Sequence, residues 1–352
     1  MSEAEILFER RGAAGIVTLN RPKALNALNR DMCLALKPQL EAWAVDPAVA
    51  LVVIKAAGEK AFCAGGDIRA LHDSGKARDG YAEAFYADEY RTNARIAHFP
   101  KPYIALLDGI VMGGGVGLSV HGSHRVIGDR VLFAMPETGI GLFPDVGGSH
   151  FLPRCPGQTG MYLGLTGARL KTADTLWAGV GTAFVPSDRH AALLDDLCAL
   201  APRAGKDAVD AVITAHAGDS GPAPLADHAD AIDTCFAAET VEGILDRLEA
   251  LDTDWGRQTA AGLRAKSPIS VKVTFRQIRE GACLDFDDCM RMEYRLTRRF
   301  IAGHDFYEGV RAVIIDKDQA PKWSPDTLDQ ITDAAVDAYF GNLGADELRL
   351  DL

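Results

Sequence analysis

The chain has 352 residues, 48% of them hydrophobic and 24% charged, and a formal net charge of −12. That composition is ordinary for a globular protein with a sizeable core and excludes a disordered chain. The acidic balance, with no run of Lys or Arg, argues against nucleic acid and against an anionic membrane surface as partners.

Strand-like and helical patterns alternate through the first half. An apolar run at Gly15–Leu19 precedes a helical window from Asn29 to Ala44, where Pro38 suggests a kink or an early stop. A second run at Val49–Lys55 leads to a helical pattern from Asp67 onward, and a third at Tyr103–Leu107 leads to another over Gly113–Val120. Short strand candidates follow at Arg125–Gly128 and Val131–Ala134, closed by Met135-Pro136. This alternation predicts an α/β core with parallel strands. Beyond about residue 155 the pattern is helical, with small residues and turn formers concentrated from 201 to about 230. Ser267-Pro268 reads as a helix start with proline just inside its cap. The predicted division is a catalytic core over 1–200, a helical insertion over 201–265 and a C-terminal helical region over 266–352.

Seven cysteines without a CxxC pair fit a reducing compartment. The acidic opening Met1–Glu5 shows neither a secretory leader nor an Arg-rich transit pattern, so a cytoplasmic location is expected. His98, His121, His124 and His150 lack metal-ligand spacing, and no metal is expected.

Two glycine-rich stretches carry most of the functional information: Ala61-Phe62-Cys63-Ala64-Gly65-Gly66-Asp67-Ile68 and Met112-Gly113-Gly114-Gly115-Val116-Gly117-Leu118. Each follows a strand-like run and begins or precedes a helix, where bare main-chain N–H groups and the helix dipole favour negative charge. Two such loops can aim two donors at one oxygen, the geometry that stabilises an enolate or a tetrahedral oxyanion. Glu137, after Met135-Pro136, and Asp145, before Gly147-Gly148, are carboxylates held by proline and glycine on either side, as acid–base work requires.

These stretches, with Leu19-Asn20-Arg21-Pro22-Lys23-Ala24-Leu25-Asn26-Ala27-Leu28 and Ser267-Pro268, resemble the enoyl-CoA hydratase/isomerase (crotonase) superfamily over nearly the whole chain. Within it, Phe133 to Gly148 looks like the 3-hydroxyisobutyryl-CoA hydrolase branch. The resemblance implies a crotonase-like spiral of ββα units with a helical C-terminal region, across which coenzyme A lies. It further implies that the N–H groups of Gly66 and Gly114 bind the thioester oxygen, that Glu137 is the catalytic carboxylate, that Asp145 is a second acid or substrate contact, and that Glu89 faces the acyl group. By the same matching Lys23, Ala24, Leu25, Ala64, Asp67 and Ile68 line the coenzyme, with Lys317 and Lys322 as further phosphate candidates. Family members often form trimers through the tail helices, which leaves a homo-oligomer open.

One departure from the family pattern is informative. Where a hydratase of the superfamily carries a second glutamate, this chain has Gly117, and the missing acid is expected to leave room for a branched, hydroxylated acyl chain. Hydrolysis of an acyl-CoA thioester, with 3-hydroxyisobutyryl-CoA the expected substrate, is therefore the leading reading, as in valine breakdown. An enoyl-CoA hydratase or isomerase is the alternative, and a non-catalytic acyl-CoA-binding protein the alternative of another class. No cofactor is expected beyond the coenzyme A of the substrate itself. Ser119, in a helical pattern, and Cys63, without a histidine partner, are read as packed side chains rather than nucleophiles.

Overall fold

The computed structural model describes residues 4–350, so Met1–Glu3 of the acidic opening lie outside the described residues. A six-stranded sheet is built from β1 (Ile6–Arg11), β2 (Ala14–Leu19), β3 (Leu51–Ala56), β5 (Tyr103–Leu107), β7 (His124–Ile127) and β9 (Ala183–Phe184), in that order. β1 pairs antiparallel with β2 through Ile6↔Leu19 to Arg11↔Ala14, and the other pairings are parallel. The two-residue strand β9 lies in the stretch that reads as helical, too short to leave a periodic signal.

A second, smaller sheet of three parallel strands is made from β4 (Ala61–Cys63), β6 (Ile110–Met112) and β8 (Leu132–Ala134). In the chain β3 leads to β4, β5 to β6 and β7 to β8, so each unit gives one strand to each sheet before a helical segment follows. This repetition is the spiral of ββα units. It also brings the carboxyl ends of β4, β6 and β8 side by side, the usual place for ligands in parallel α/β sheets.

Buried strands explain the continuous apolar run Leu51–Ile54, whose residues alternate between the two faces of the large sheet. Val52 and Ile54 join the main core, while Leu51 and Val53 join a smaller cluster covered by Leu193, Leu197, Val209 and Ile213. These last come from the helices His190–Cys198 and Lys206–His216, which pack on one another. The expected boundary at 200/201 thus falls between two helices that share one sheet face. The helices Ala229–Phe236, Val241–Ala250 and Asp254–Arg264 join the main core through Ile232, Ile244, Leu248 and Leu263.

The helix Arg30–Val45 does not stop at Pro38. Asn29 caps its start by accepting the Met32 N–H at 3.0 Å, and burial of Met32, Cys33, Leu36, Leu40 and Trp43 outweighs the missing hydrogen bond. Ser267 caps the helix Pro268–Gly281 in the same manner, accepting from Ser270 N at 3.2 Å with Pro268 in the first turn. Among the described residues no helix is long and apolar enough to cross a membrane.

Candidate active site

Three loops leave the carboxyl ends of β4, β6 and β8, and each supplies part of one cavity of about 380 Å³. The first brings Ala64, Gly65 and Gly66, the second Gly113 and Gly114, the third Pro136, Glu137 and Gly139. The helix Tyr81–Ala97 adds Phe85, Tyr86 and Glu89, and Asp145 joins from the loop beyond Glu137. Ile68, Leu71, Val313 and Ile314 make much of the remaining wall apolar.

Gly66 and Gly114 lie against each other at this cavity. A methyl group placed on Gly114 would sit 3.3 Å from the Gly66 nitrogen and 2.5 Å from Glu89 Oε1. Gly113, at φ +47°, holds a backbone that a side chain rarely adopts, and a methyl there would meet Glu137 Oε1 at 3.3 Å. Among the described residues neither the Gly66 nor the Gly114 N–H is matched by a protein acceptor. Two free donors and an acid therefore share one cavity, as an oxyanion with a proton-transfer group beside it requires.

Three carboxyl groups line this cavity: Glu89, Glu137 and Asp145 are 2%, 5% and 4% exposed. Burial pushes the Glu137 carboxyl well above the ordinary carboxylate range, and nearby Asp145 adds to the shift. Glu89 is raised the same way, by burial first and then by Asp145 and Glu137. Asp145 rises to about 7, mainly through burial, against the pull of the Tyr90 hydroxyl that donates to its Oδ2 over 2.9 Å. An acid held near neutrality suits general acid–base work.

The Glu137 turn and the Asp145 loop are braced from the C-terminal region. Ser267 N donates to Thr138 O at 3.2 Å, tying the start of the Pro268–Gly281 helix to the 3₁₀ turn Glu137–Ile140. Gln277 Nε2 donates to Pro144 O at 2.6 Å. Glu293, fully buried on the helix Phe286–Phe300, accepts from Gly147 N at 2.8 Å, from Ser149 N at 2.9 Å and from the Ser149 hydroxyl. Val146, between these anchors, is in the left-handed region at φ +52°, and its carbonyl lies 2.7 Å from His121 Nε2. Burial drives the His121 pKa down to about 3, so the ring is neutral and donates this bond.

Of the residues expected to meet the coenzyme, Ala64 and Ile68 line the cavity. Lys23 and Ala24 lie in the 3₁₀ turn Pro22–Ala24 and Leu25 follows it; none of the three lines the cavity, although Leu25 O accepts the Ala64 N–H at 3.1 Å. Asp67 caps the helix Ile68–Ala77 and pairs with Arg21 at 3.2 Å. Lys317 and Lys322 do not line the cavity, whose basic residues are instead Arg169 and Lys266. Tyr86, Arg169, Lys266 and Glu293 were not legible as site residues. Of these only Tyr86 had a signal, standing three residues before Glu89 and so on the same helical face.

The absence of a side chain at Gly117 does not widen the cavity. A methyl group there would meet Asn93 Nδ2 and Val146 Cβ at 2.7 Å each, so those residues already fill the volume an acid would need. Ser119 is buried and donates to Gly115 O and Val116 O, and burial pushes the Cys63 thiol up to about 12, which leaves neither as a nucleophile. No cluster of three or more His, Cys, Asp or Glu side chains among the described residues could hold a metal ion.

A family model described as enoyl-CoA hydratase/isomerase matches residues 14–340. The chain belongs to the enoyl-CoA hydratase/isomerase family. Among curated relatives, the mitochondrial 3-hydroxyisobutyryl-CoA hydrolase of Xenopus tropicalis is 49% identical over 99% of this chain and 92% of its own length. The human protein of the same name is 45% identical over 98% of this chain and 90% of its own. Among solved structures, a carnitinyl-CoA dehydratase from Mycobacterium thermoresistibile aligns with a TM-score of 0.93, at 40% identity and 99% coverage of both chains. An enoyl-CoA hydratase from Rhodobacter sphaeroides gives 0.90 at 39% identity, covering 98% of this chain and all of the other. The crotonase fold read from the motifs and the likeness to the hydrolase branch are both borne out.

Proposed function

We propose that this protein is an enzyme that hydrolyses an acyl-CoA thioester, with 3-hydroxyisobutyryl-CoA as the substrate and 3-hydroxyisobutyrate and CoA as the products. The observation that carries the reading is the meeting of the Gly66 and Gly114 N–H groups with the Glu137 carboxyl at one cavity, while the position of a second acid is the tightly packed Gly117. The names of the full-length relatives support the same substrate, and a place in valine breakdown follows from that reading of the substrate.

In this reading the thioester oxygen sits between the two amides, an oxyanion hole in which each donor contributes about 3 kcal/mol to the transition state. The Glu137 carboxylate takes a proton from water as its oxygen attacks the carbonyl carbon, or attacks that carbon itself to form an anhydride that water then opens. The C–S bond breaks as the oxyanion collapses. Where water attacks, the proton held by Glu137 passes to the departing thiolate; where Glu137 attacks, the thiolate leaves first and takes the proton released when water opens the anhydride and frees the Glu137 carboxylate. Asp145 and Glu89 orient the acyl group, and Lys23, Ala24, Leu25, Ala64, Asp67 and Ile68 border the coenzyme. The reaction needs only water and the thioester, so no metal or further cofactor enters it.

The seven cysteines are all free, which supports a reducing compartment. The cytoplasm is the one read from the sequence, whereas the curated relatives cited above are named mitochondrial. The solved neighbours named as a hydratase and a dehydratase favour a second reading, chemistry at an alkene. Purified protein offered 3-hydroxyisobutyryl-CoA and an enoyl-CoA separates the two, with free thiol and alkene absorbance followed in parallel. Thiol release that disappears in Glu137→Ala is the expected result. A change at the alkene without thiol release overturns the hydrolase in favour of a hydratase or isomerase.

A further inference from the structure

Two polar atoms at the cavity have no partner among the described residues and take no part in bond making. The Tyr86 side chain is 2% exposed and lines the cavity, yet its hydroxyl has no hydrogen bond among the described residues. Glu89, three residues further along the same helix and therefore on the same face, leaves Oε1 equally unmatched. Leaving a buried donor and a buried acceptor unmatched costs about 1–3 kcal/mol each, so such atoms are expected to meet a ligand. The Tyr86 ring is held in place by edge-to-face contacts with Phe85 and Tyr90, at centroid distances of 5.5 and 6.0 Å. Phe85, Leu71 and Ile68 line the same cavity, where no polar atom of theirs competes.

A donor and an acceptor on one helical face of the same cavity are satisfied together by an alcohol, which accepts one hydrogen bond and donates another; a ketone can only accept, and an alkyl group does neither. We infer that the Tyr86 hydroxyl and the Glu89 carboxyl form a receptor for a hydroxyl group on the acyl chain, and that this pair makes the enzyme prefer hydroxyacyl thioesters over plain acyl thioesters. The inference rests on the thioester reading and adds to it a specificity residue, Tyr86, that touches substrate without taking part in bond making.

The test compares 3-hydroxyisobutyryl-CoA with isobutyryl-CoA in the wild type and in Tyr86→Phe, by kcat/KM and by the Kd of inert analogues whose sulfur is replaced by CH2. A site built to hydrogen-bond a hydroxyl rejects the analogue lacking it, so the wild type is expected to prefer the hydroxylated compound by about 100-fold or more. Tyr86→Phe is expected to shrink that preference by about tenfold or more, chiefly by weakening the hydroxylated compound. An unchanged preference in the variant, or no preference in the wild type, overturns the inference. If neither thioester is hydrolysed the hydrolase reading fails, and the ratio of analogue Kd values still decides the role of Tyr86. Should Tyr86→Phe not fold, Glu89→Leu, which removes the acceptor, is measured with the same analogues in its place: loss of the preference supports the receptor and its retention overturns it.

Discussion

Glu293 holds the main-chain N–H of Gly147 at 2.8 Å across 146 residues of sequence, from a helix of the C-terminal region to the loop that carries Asp145. With the two bonds from Ser149 it leaves both carboxylate oxygens matched, and it secures a loop whose Val146 is in an unfavourable conformation. Glu293→Gln puts an amide NH2 against a donor. It is expected to lower stability by about 2–3 kcal/mol and to reduce kcat with little change in KM. Urea unfolding and steady-state kinetics check this; an unchanged kcat in a folded variant would show that the brace does not serve Asp145.

Gly114→Ala tests the amide pair directly. The added methyl would stand 2.5 Å from Glu89 Oε1 and 3.3 Å from the Gly66 nitrogen, so the loop must shift and its N–H with it. Loss of one aligned donor corresponds to a fall in kcat of roughly 100- to 1,000-fold. Single-turnover thiol release measures it, and a loss below about tenfold would argue that the thioester oxygen lies elsewhere.

Activity is expected to rise with pH, and to do so at higher pH than an ordinary carboxylate would give. The reaction needs Glu137 deprotonated, and burial together with Asp145 raises its pKa well above the usual value. Removing the neighbouring charge in Asp145→Asn takes away the second of those causes, so whatever activity remains should begin its rise at lower pH. A pH profile of kcat/KM in both proteins checks the direction, and a shift toward higher pH contradicts it.

Stability should run the other way. A carboxyl whose folded pKa exceeds its unfolded one keeps its proton longer in the folded chain, so its contribution is complete below about pH 4 and is lost as pH rises through the folded value. With Asp145 at about 7 and Glu293 at about 8, that loss spans the interval from about pH 4 to 8. Asp145→Asn is therefore expected to melt higher than the wild type at pH 8, with a smaller difference at pH 5. A lower Tm at pH 8 would show that the native site favours the charge. Such a gain accompanies loss of function where an active site is built at the expense of stability.

Restoring the family's second acid should fail. In Gly117→Glu the new side chain meets Asn93 and Val146 at once, and overpacking of this kind costs about 1–3 kcal/mol. The variant is expected to lose stability and to gain no hydration of an enoyl-CoA. Appearance of hydration without a fall in Tm would mean that Asn93 gives way freely.

Local chemistry made much of this protein legible before any coordinates. The runs Leu51–Ile54 and Tyr103–Leu107 announce buried parallel strands by their continuous apolar pattern, and Ser267-Pro268 announces a helix start by its capping geometry. The paired glycine loops and Glu137 stood out because their residue types are set by backbone conformation and proximity to one reacting atom. The brace and the polar pocket wall could not be read this way. Glu293, Gln277 and His121 matter only because the chain folds them onto the Asp145 loop, and a lone buried acid leaves no periodic trace. Gly117 shows the limit most plainly: the residue reveals that an acid is missing, but only packing reveals that Asn93 and Val146 have closed the space, because volume in a core belongs to neighbours distant in sequence.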